Sequence, residues 1–122
     1  MLKFYGYRKC STCRKAEKAL EKFGRKFEFI DITESPPSQA ELVRIVRQGG
    51  VELKKLFNTS GVQYRELGIK DKLAGMGEAE ILALLAGNGR LVKRPLVTDG
   101  NRSTVGFDEA AFRKTWGSPP LS

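Results

Sequence analysis

Both cysteines of the chain lie in one short stretch, Cys10-Ser11-Thr12-Cys13. An apolar run, Leu2 to Tyr7, precedes them, and a helical pattern, Arg14 to Phe23, follows. A thiol at such a strand-to-helix junction meets unpaired backbone N–H groups and the positive end of the helix dipole. Both favour thiolate over thiol, and the thiolate is the nucleophile. The chemistry to expect is thiol–disulfide exchange: Cys10 attacks as nucleophile, and Cys13, one turn on and facing the core, resolves the mixed disulfide. Residues at i and i+3 on a helix have Cβ atoms ~5–6 Å apart, whereas a relaxed disulfide wants ~3.8 Å. A bridge here needs local adjustment, which suits a reactive pair better than a structural one. Histidine is absent, so no Cys–His pair exists, and two cysteines fall two ligands short of a closed zinc site. No metal is expected.

The elements that must position this pair come from a chain of 122 residues, the size of one domain with its own core. A single domain over 1–117 and a flexible tail over 118–122, carrying Pro119-Pro120, are expected. The start lacks a signal-peptide apolar region, and the longest apolar run, Ile81 to Ala86, is too short to cross a bilayer. These features predict a cytoplasmic protein with no membrane partner, in a compartment that keeps thiols reduced. Residues 1–30 hold nine basic and three acidic residues, so they carry +6 of the net charge of +8. Such a field draws anions or binds nucleic acid without sequence specificity, and an ordinary solvated helix face explains it equally well. Specific nucleic-acid recognition is not expected.

Taken in order, Leu2 to Tyr7 reads as a strand. Ser11 or Thr12 is placed to cap the helix after it. Cys13, Ala16, Leu20 and Phe23 recur on that helix's buried face, while Arg14, Lys18 and Lys22 form a basic stripe. Gly24 ends the helix, and Lys26 to Ile32 is a second strand. Ser38 and Glu41 form a capping box after Pro36-Pro37, and Leu42, Val43, Ile45 and Val46 give the helix behind it an apolar face. Gly49-Gly50 stops it. A short helix is expected over 52–57, a turn at Asn58-Thr59-Ser60-Gly61, and broken helix over 62–86, clearest from Glu78 to Ala86. Arg65 is expected to pair with Glu66 or Asp71. Pro95 should start a strand, Asp99-Gly100-Asn101 turns a hairpin, Ser103 to Phe107 returns, and Asp108 caps a last helix, Glu109 to Trp116. The order β–α–β, helical block, β-hairpin, helix predicts an α/β chain with a four-stranded mixed sheet. That is a thioredoxin-like, glutaredoxin-like fold with a mid-chain helical insertion.

Six segments, in order and at their spacing, resemble the arsenate reductase (ArsC)/Spx family, closest to its uncharacterised reductase-like members. They are Cys10-Ser-Thr-Cys13-Arg-Lys-Ala, Pro36-Pro-Ser-Gln-Ala-Glu-Leu-Val43, Phe57-Asn-Thr-Ser-Gly61, Tyr64-Arg-Glu-Leu-Gly68, Lys93-Arg-Pro-Leu-Val97 and Val105-Gly-Phe107. The resemblance implies that Cys10 is the nucleophile, that Arg94 faces it and that Pro95 follows a cis peptide bond. In the arsenate reductases of this family arginines bind the arsenate oxygens. Here Asn58 stands at one such position and Gly106-Phe107 at another, which leaves Arg94 alone and points away from arsenate as substrate. The C-x-x-C form looks like the Spx-type regulators and the reductase-like members. The implied function is a cytosolic thiol-dependent oxidoreductase, with glutathione as candidate co-substrate and no bound cofactor. Its partners are then glutathione/glutaredoxin or the thioredoxin system. The alternative is a redox-sensing regulator that binds the C-terminal domain of the RNA polymerase alpha subunit. Asn58, Ser11, Thr12, Arg94 and Pro95 complete the expected anion- and substrate-binding set beside Cys10 and Cys13.

Overall fold

The structure is a computed structural model that describes residues 2–117. The tail expected at 118–122 lies outside the described residues. The strands are β1 (Leu2–Gly6), β2 (Phe27–Asp31), β3 (Leu96–Thr98) and β4 (Ser103–Val105), in the sheet order β2-β1-β3-β4. β1 and β2 run parallel with Leu2 opposite Phe27, β1 and β3 antiparallel with Tyr5 opposite Leu96, and β3 and β4 antiparallel with Leu96 opposite Val105. The mixed four-stranded sheet and the order of its elements are those expected from the sequence.

Strand alternation divides the core into two layers. Phe4 and Val97 face one side, where they are buried with Cys13, Ala16 and Leu20 of α1 (Ser11–Lys22) and with Phe112 and Trp116 of α6 (Glu109–Trp116). Tyr5 and Leu96 face the other side. There they meet Leu42 and Ile45 of α2 (Gln39–Arg47) and Ile81, Leu82 and Leu85 of α5 (Glu78–Gly87). Between α2 and α5 lie a 3-10 turn at Leu53–Leu56 and two short helices, α3 (Val62–Glu66) and α4 (Ile69–Leu73). This is the helical insertion, and it packs on the second layer through Leu56, Phe57 and Ile69.

Several local expectations change. Neither Ser11 nor Thr12 caps α1. The backbone N–H of Cys10 bonds the Tyr7 carbonyl at 3.3 Å, which closes a tight turn and leaves Cys10 extended, with φ −79° and ψ 121°. Cys10 itself is therefore the N-cap, and its Sγ accepts from the Cys13 N–H at 3.4 Å. The Ser38 capping box is half made. Ser38 Oγ accepts from the Glu41 N–H at 3.1 Å, but the Glu41 carboxylate turns to Tyr5 Oη and Lys3 Nζ instead of returning to the helix start. The expected helix at 52–57 tightens to a 3-10 turn. The fourth strand ends at Val105, because Gly106 takes a left-handed φ of 75°. Arg65 makes no pair with Glu66 or Asp71 and donates to the Ser60 carbonyl at 3.1 Å. Gly24 ends α1 as expected. With φ 74° it donates to the Glu21 carbonyl while Arg25 N–H reaches back to Leu20, the paired bonds of a Schellman end.

Gly89 opens the 3-10 turn Gly89–Leu91 that leads towards β3. A Cβ at this position would lie 1.8 Å from the Ile32 carbonyl oxygen, just beyond β2. Gly89→Ala is therefore expected to push backbone against backbone and cost about 1–3 kcal/mol. The check is a lower denaturant midpoint at unchanged m-value.

Candidate functional site

The turn Tyr7–Cys10, the first turn of α1 and the loop that enters β3 converge at one end of the sheet. Cys10 is half-buried and Cys13 fully buried; both are free thiols. Burial pushes the Cys10 thiol up. The N–H of Cys13, the Cys13 thiol, the N–H of Thr12 and the positive charge of Arg94 together outweigh burial and bring it below an ordinary thiol. These donors are the unpaired N–H groups of the helix start, used here to hold a sulfur anion. Cys13 goes the other way. Burial raises it to about 12; the Tyr7 backbone opposes the rise, the hydrogen bond and charge of Cys10 add to it, and Arg94 offsets it least. Two thiols three residues apart are thus driven apart in acidity, one by the donors and charge around it and the other by its depth.

Arg94 sits over the Tyr7 ring, its guanidinium carbon 4.4 Å from the ring centroid. Its Nε is buried with no hydrogen-bond partner among the described residues. The Arg94–Pro95 peptide bond is cis, as the family resemblance implies. Pro95 is buried behind Arg94, and its carbonyl accepts from the Gly106 N–H at 2.9 Å. Cys10, Thr12, Asn58 and Arg94 line one cavity of about 320 Å³, together with Lys93, Gly106 and Phe107. Ser11 falls on a second opening, of about 650 Å³, with Cys10, Arg94, Tyr7, Arg8, Lys9 and Asp31. A third, of about 490 Å³, runs away from Arg94, Tyr7 and Asn58 towards Arg90, Asp31 and Glu34. Of the residues expected at the site, Cys10, Thr12, Asn58 and Arg94 therefore share one cavity, Ser11 lies on the adjoining opening, Cys13 is fully buried, and Pro95 is one residue behind Arg94.

Two participants were not legible as such. Lys93 adds a second cation to the Cys10 cavity, and its only signal is adjacency to Arg94-Pro95. Tyr7 reads as the end of an aromatic strand. In the structure its carbonyl holds the Cys10 N–H, its backbone helps lower the Cys13 thiol, its ring carries Arg94 and its hydroxyl bonds Thr33 Oγ1. Among the described residues no group of three or more His, Cys, Asp or Glu side chains is placed to hold a metal ion. No described helix is long and apolar enough to cross a membrane.

A four-stranded mixed sheet with a C-x-x-C pair at the start of its first helix and a cis-proline loop facing it defines the thioredoxin-like class. Within that class the chain belongs to the ArsC family, which matches residues 5–115. It is 54% identical over 115 residues to the uncharacterized protein YusI of Bacillus subtilis, covering 94% of this chain and 98% of YusI. It is 30% identical to the global transcriptional regulator Spx of Streptococcus mutans, over 85% of this chain and 74% of Spx. Among solved structures it superposes with a TM-score of 0.80 on a possible arsenate reductase from Streptococcus mutans. That protein is 44% identical, and the match covers 88% of this chain and 91% of the other.

Proposed function

We propose that the protein is a cytosolic thiol–disulfide oxidoreductase in which Cys10 is the nucleophile and Cys13 the resolving thiol. The observation that carries the reading is the opposed acidity of the pair: Cys10 lowered at the helix start beside Arg94, Cys13 raised by burial. The Cys10 thiolate attacks a disulfide, forms a mixed disulfide and expels one thiolate. Cys10 then carries no charge, so two of the influences that hold the Cys13 proton disappear. Cys13 loses its proton and attacks the Cys10 sulfur, and the second thiolate leaves as the Cys10–Cys13 bridge forms. Two electrons from glutathione, or from the glutaredoxin or thioredoxin system, return the pair to the dithiol. Thr12 and Asn58 border the space a substrate sulfur must enter, and Arg94 stabilises both the attacking and the leaving thiolate. Arsenate is not the proposed substrate. Asn58, Gly106 and Phe107 line the cavity where the family's arsenate reductases hold arginines, so its cations are Arg94 and Lys93.

The test is the rate of Cys10 alkylation against pH in reduced Cys13→Ala protein. Reactivity follows the thiolate, so the rate rises with pH and levels off, with a midpoint expected below the ~8.5 of a free thiol. A midpoint at or above that value overturns the proposal. Arg94→Ala removes a favourable charge and is expected to move the midpoint up and slow the reaction at neutral pH. An unchanged profile would leave Arg94 without an electrostatic role.

The 30% identity to Spx favours a second reading, a redox-sensing regulator. In it the Cys10–Cys13 pair switches binding to the C-terminal domain of the RNA polymerase alpha subunit. Purified alpha domain retained in one redox state and released in the other, without turnover of disulfide substrates, selects it. No retention in either state removes it.

A further inference from the structure

The basic stripe of α1 is not used by the chemistry above. Arg14 turns back to the Arg8 carbonyl, at 3.1 Å. Lys18 and Lys22, joined by Lys15, instead edge a groove of about 310 Å³ between α1 and α6. Ala19, Phe23 and Phe107 supply its apolar walls, and Arg113 stands on the opposite rim, paired with Glu109 at 3.2 Å. The four cations face one carboxylate. Among the described residues no acidic group lies within ion-pair distance of Lys15, Lys18 or Lys22. Like charges at this spacing weaken α1, and Phe23 and Phe107 remain partly exposed. Solvation accounts for the lysines but leaves the aromatic walls between them unexplained. Phe107 also lines the Cys10 cavity, so whatever fills the groove lies beside the reactive sulfur.

We infer that this groove docks an acidic amphipathic helix of the protein whose disulfide Cys10 attacks. The inference rests on the thiol–disulfide reading and names the class of its partner. Lys15, Lys18 and Lys22 follow i, i+3, i+7 spacing over roughly 10 Å of helix, the register in which carboxylates on one edge of a facing helix recur. Apolar side chains on the adjoining face of that helix fill the space between Phe23 and Phe107. A nucleic-acid duplex would meet the lysines with its phosphates but keeps its bases stacked inside, away from the aromatic walls. A membrane-surface helix would have to offer lipid its apolar face, and that of α1, Cys13, Ala16 and Leu20, is buried in the core.

Three probes test the inference, each a mixed disulfide that releases thionitrobenzoate when the Cys10 thiolate attacks the other sulfur. The first is a synthetic helical peptide with a leucine face and a glutamate edge, the second the same peptide with lysines in place of the glutamates, the third the small 2-mercaptoethanol derivative. The acidic peptide is expected to react about tenfold faster than the basic one at ~0.01 M salt, and the advantage to vanish near 1 M. In K15Q/K18Q/K22Q, whose changes are all on exposed side chains, the advantage should be lost while the small disulfide reacts at the wild-type rate. Equal rates for the two peptides, or an advantage that survives the triple substitution, overturn the docking surface alone. Sedimentation with phosphatidylglycerol vesicles without preference for the acidic peptide also overturns it, in favour of a lipid surface. Failure of the small disulfide to react with wild-type protein overturns the thiol–disulfide reading itself.

Discussion

Replacing Cys10 with serine is expected to lower the rate of attack on any disulfide substrate by at least about a thousandfold, the scale on which losing a covalent nucleophile acts. The hydroxyl keeps the N-cap geometry, since its oxygen can accept the Cys13 N–H as the sulfur does, so the fold should be retained. It cannot supply an anion near neutral pH. Cys13→Ser gives the complementary result. Cys10 still attacks, but nothing expels the second thiolate, so one equivalent of leaving group appears and the protein accumulates as a mixed disulfide visible by intact mass. Stopped kinetics on a chromogenic disulfide separate the two variants. Full turnover in Cys10→Ser, or in Cys13→Ser without added thiol, would show that the roles are wrongly assigned.

The largest loss of stability is expected at Trp116. Its side chain is fully buried in the layer that holds Phe4, Leu20 and Phe112. Its Nε1 donates to Thr104 Oγ1 at 2.9 Å, and its carbonyl accepts from Arg25 Nε at 2.8 Å. The Arg102 guanidinium lies 5.1 Å from the ring centroid and also donates to the Thr115 carbonyl at 2.7 Å. One residue thus ties α6 to β4, to the end of α1 and to the hairpin. Trp116→Ala should cost about 3–5 kcal/mol and lower Tm by roughly 10–20 °C, read by calorimetry. Trp116→Phe keeps most of the apolar area and loses the indole hydrogen bond, so about 1–2 kcal/mol is expected. A loss in Trp116→Ala no larger than in Trp116→Phe would mean that the hydrogen bond, not burial, dominates.

What the chain declares locally is what survived from sequence to structure. The strands alternate at period two, Gly24 stops α1 in a left-handed turn, and Asp108 caps α6 through the Ala111 N–H at 3.0 Å. Each is decided by a few neighbouring residues, so element order and the mixed sheet could be read without knowing any contact. Expectations failed where another group, distant or a few residues off, competes for the same partner or sets the backbone. Glu41 was free to complete its capping box, but folding brings Tyr5 and Lys3 of β1 to its carboxylate. Ser11 and Thr12 are better caps than cysteine in isolation, but the Tyr7–Cys10 turn sets where the helix begins.

Residue order alone was enough to show one reactive-looking thiol pair at a strand–helix junction, an α/β chain around it, and the segment order of the ArsC family. The difference in acidity between Cys10 and Cys13 came only with the folded chain. Folding places one sulfur among helix-start N–H groups near a cation and the other in a layer of buried side chains. It also sets Arg94, more than eighty residues away in the chain, on the Tyr7 ring beside Cys10, and joins Lys93 and Phe107 to the same cavity. Residue type and spacing fix which groups exist and how they are ordered along the backbone. Acidity and recognition depend on solvent exclusion and on charges a few ångströms away, and those are set by packing between segments far apart in the chain.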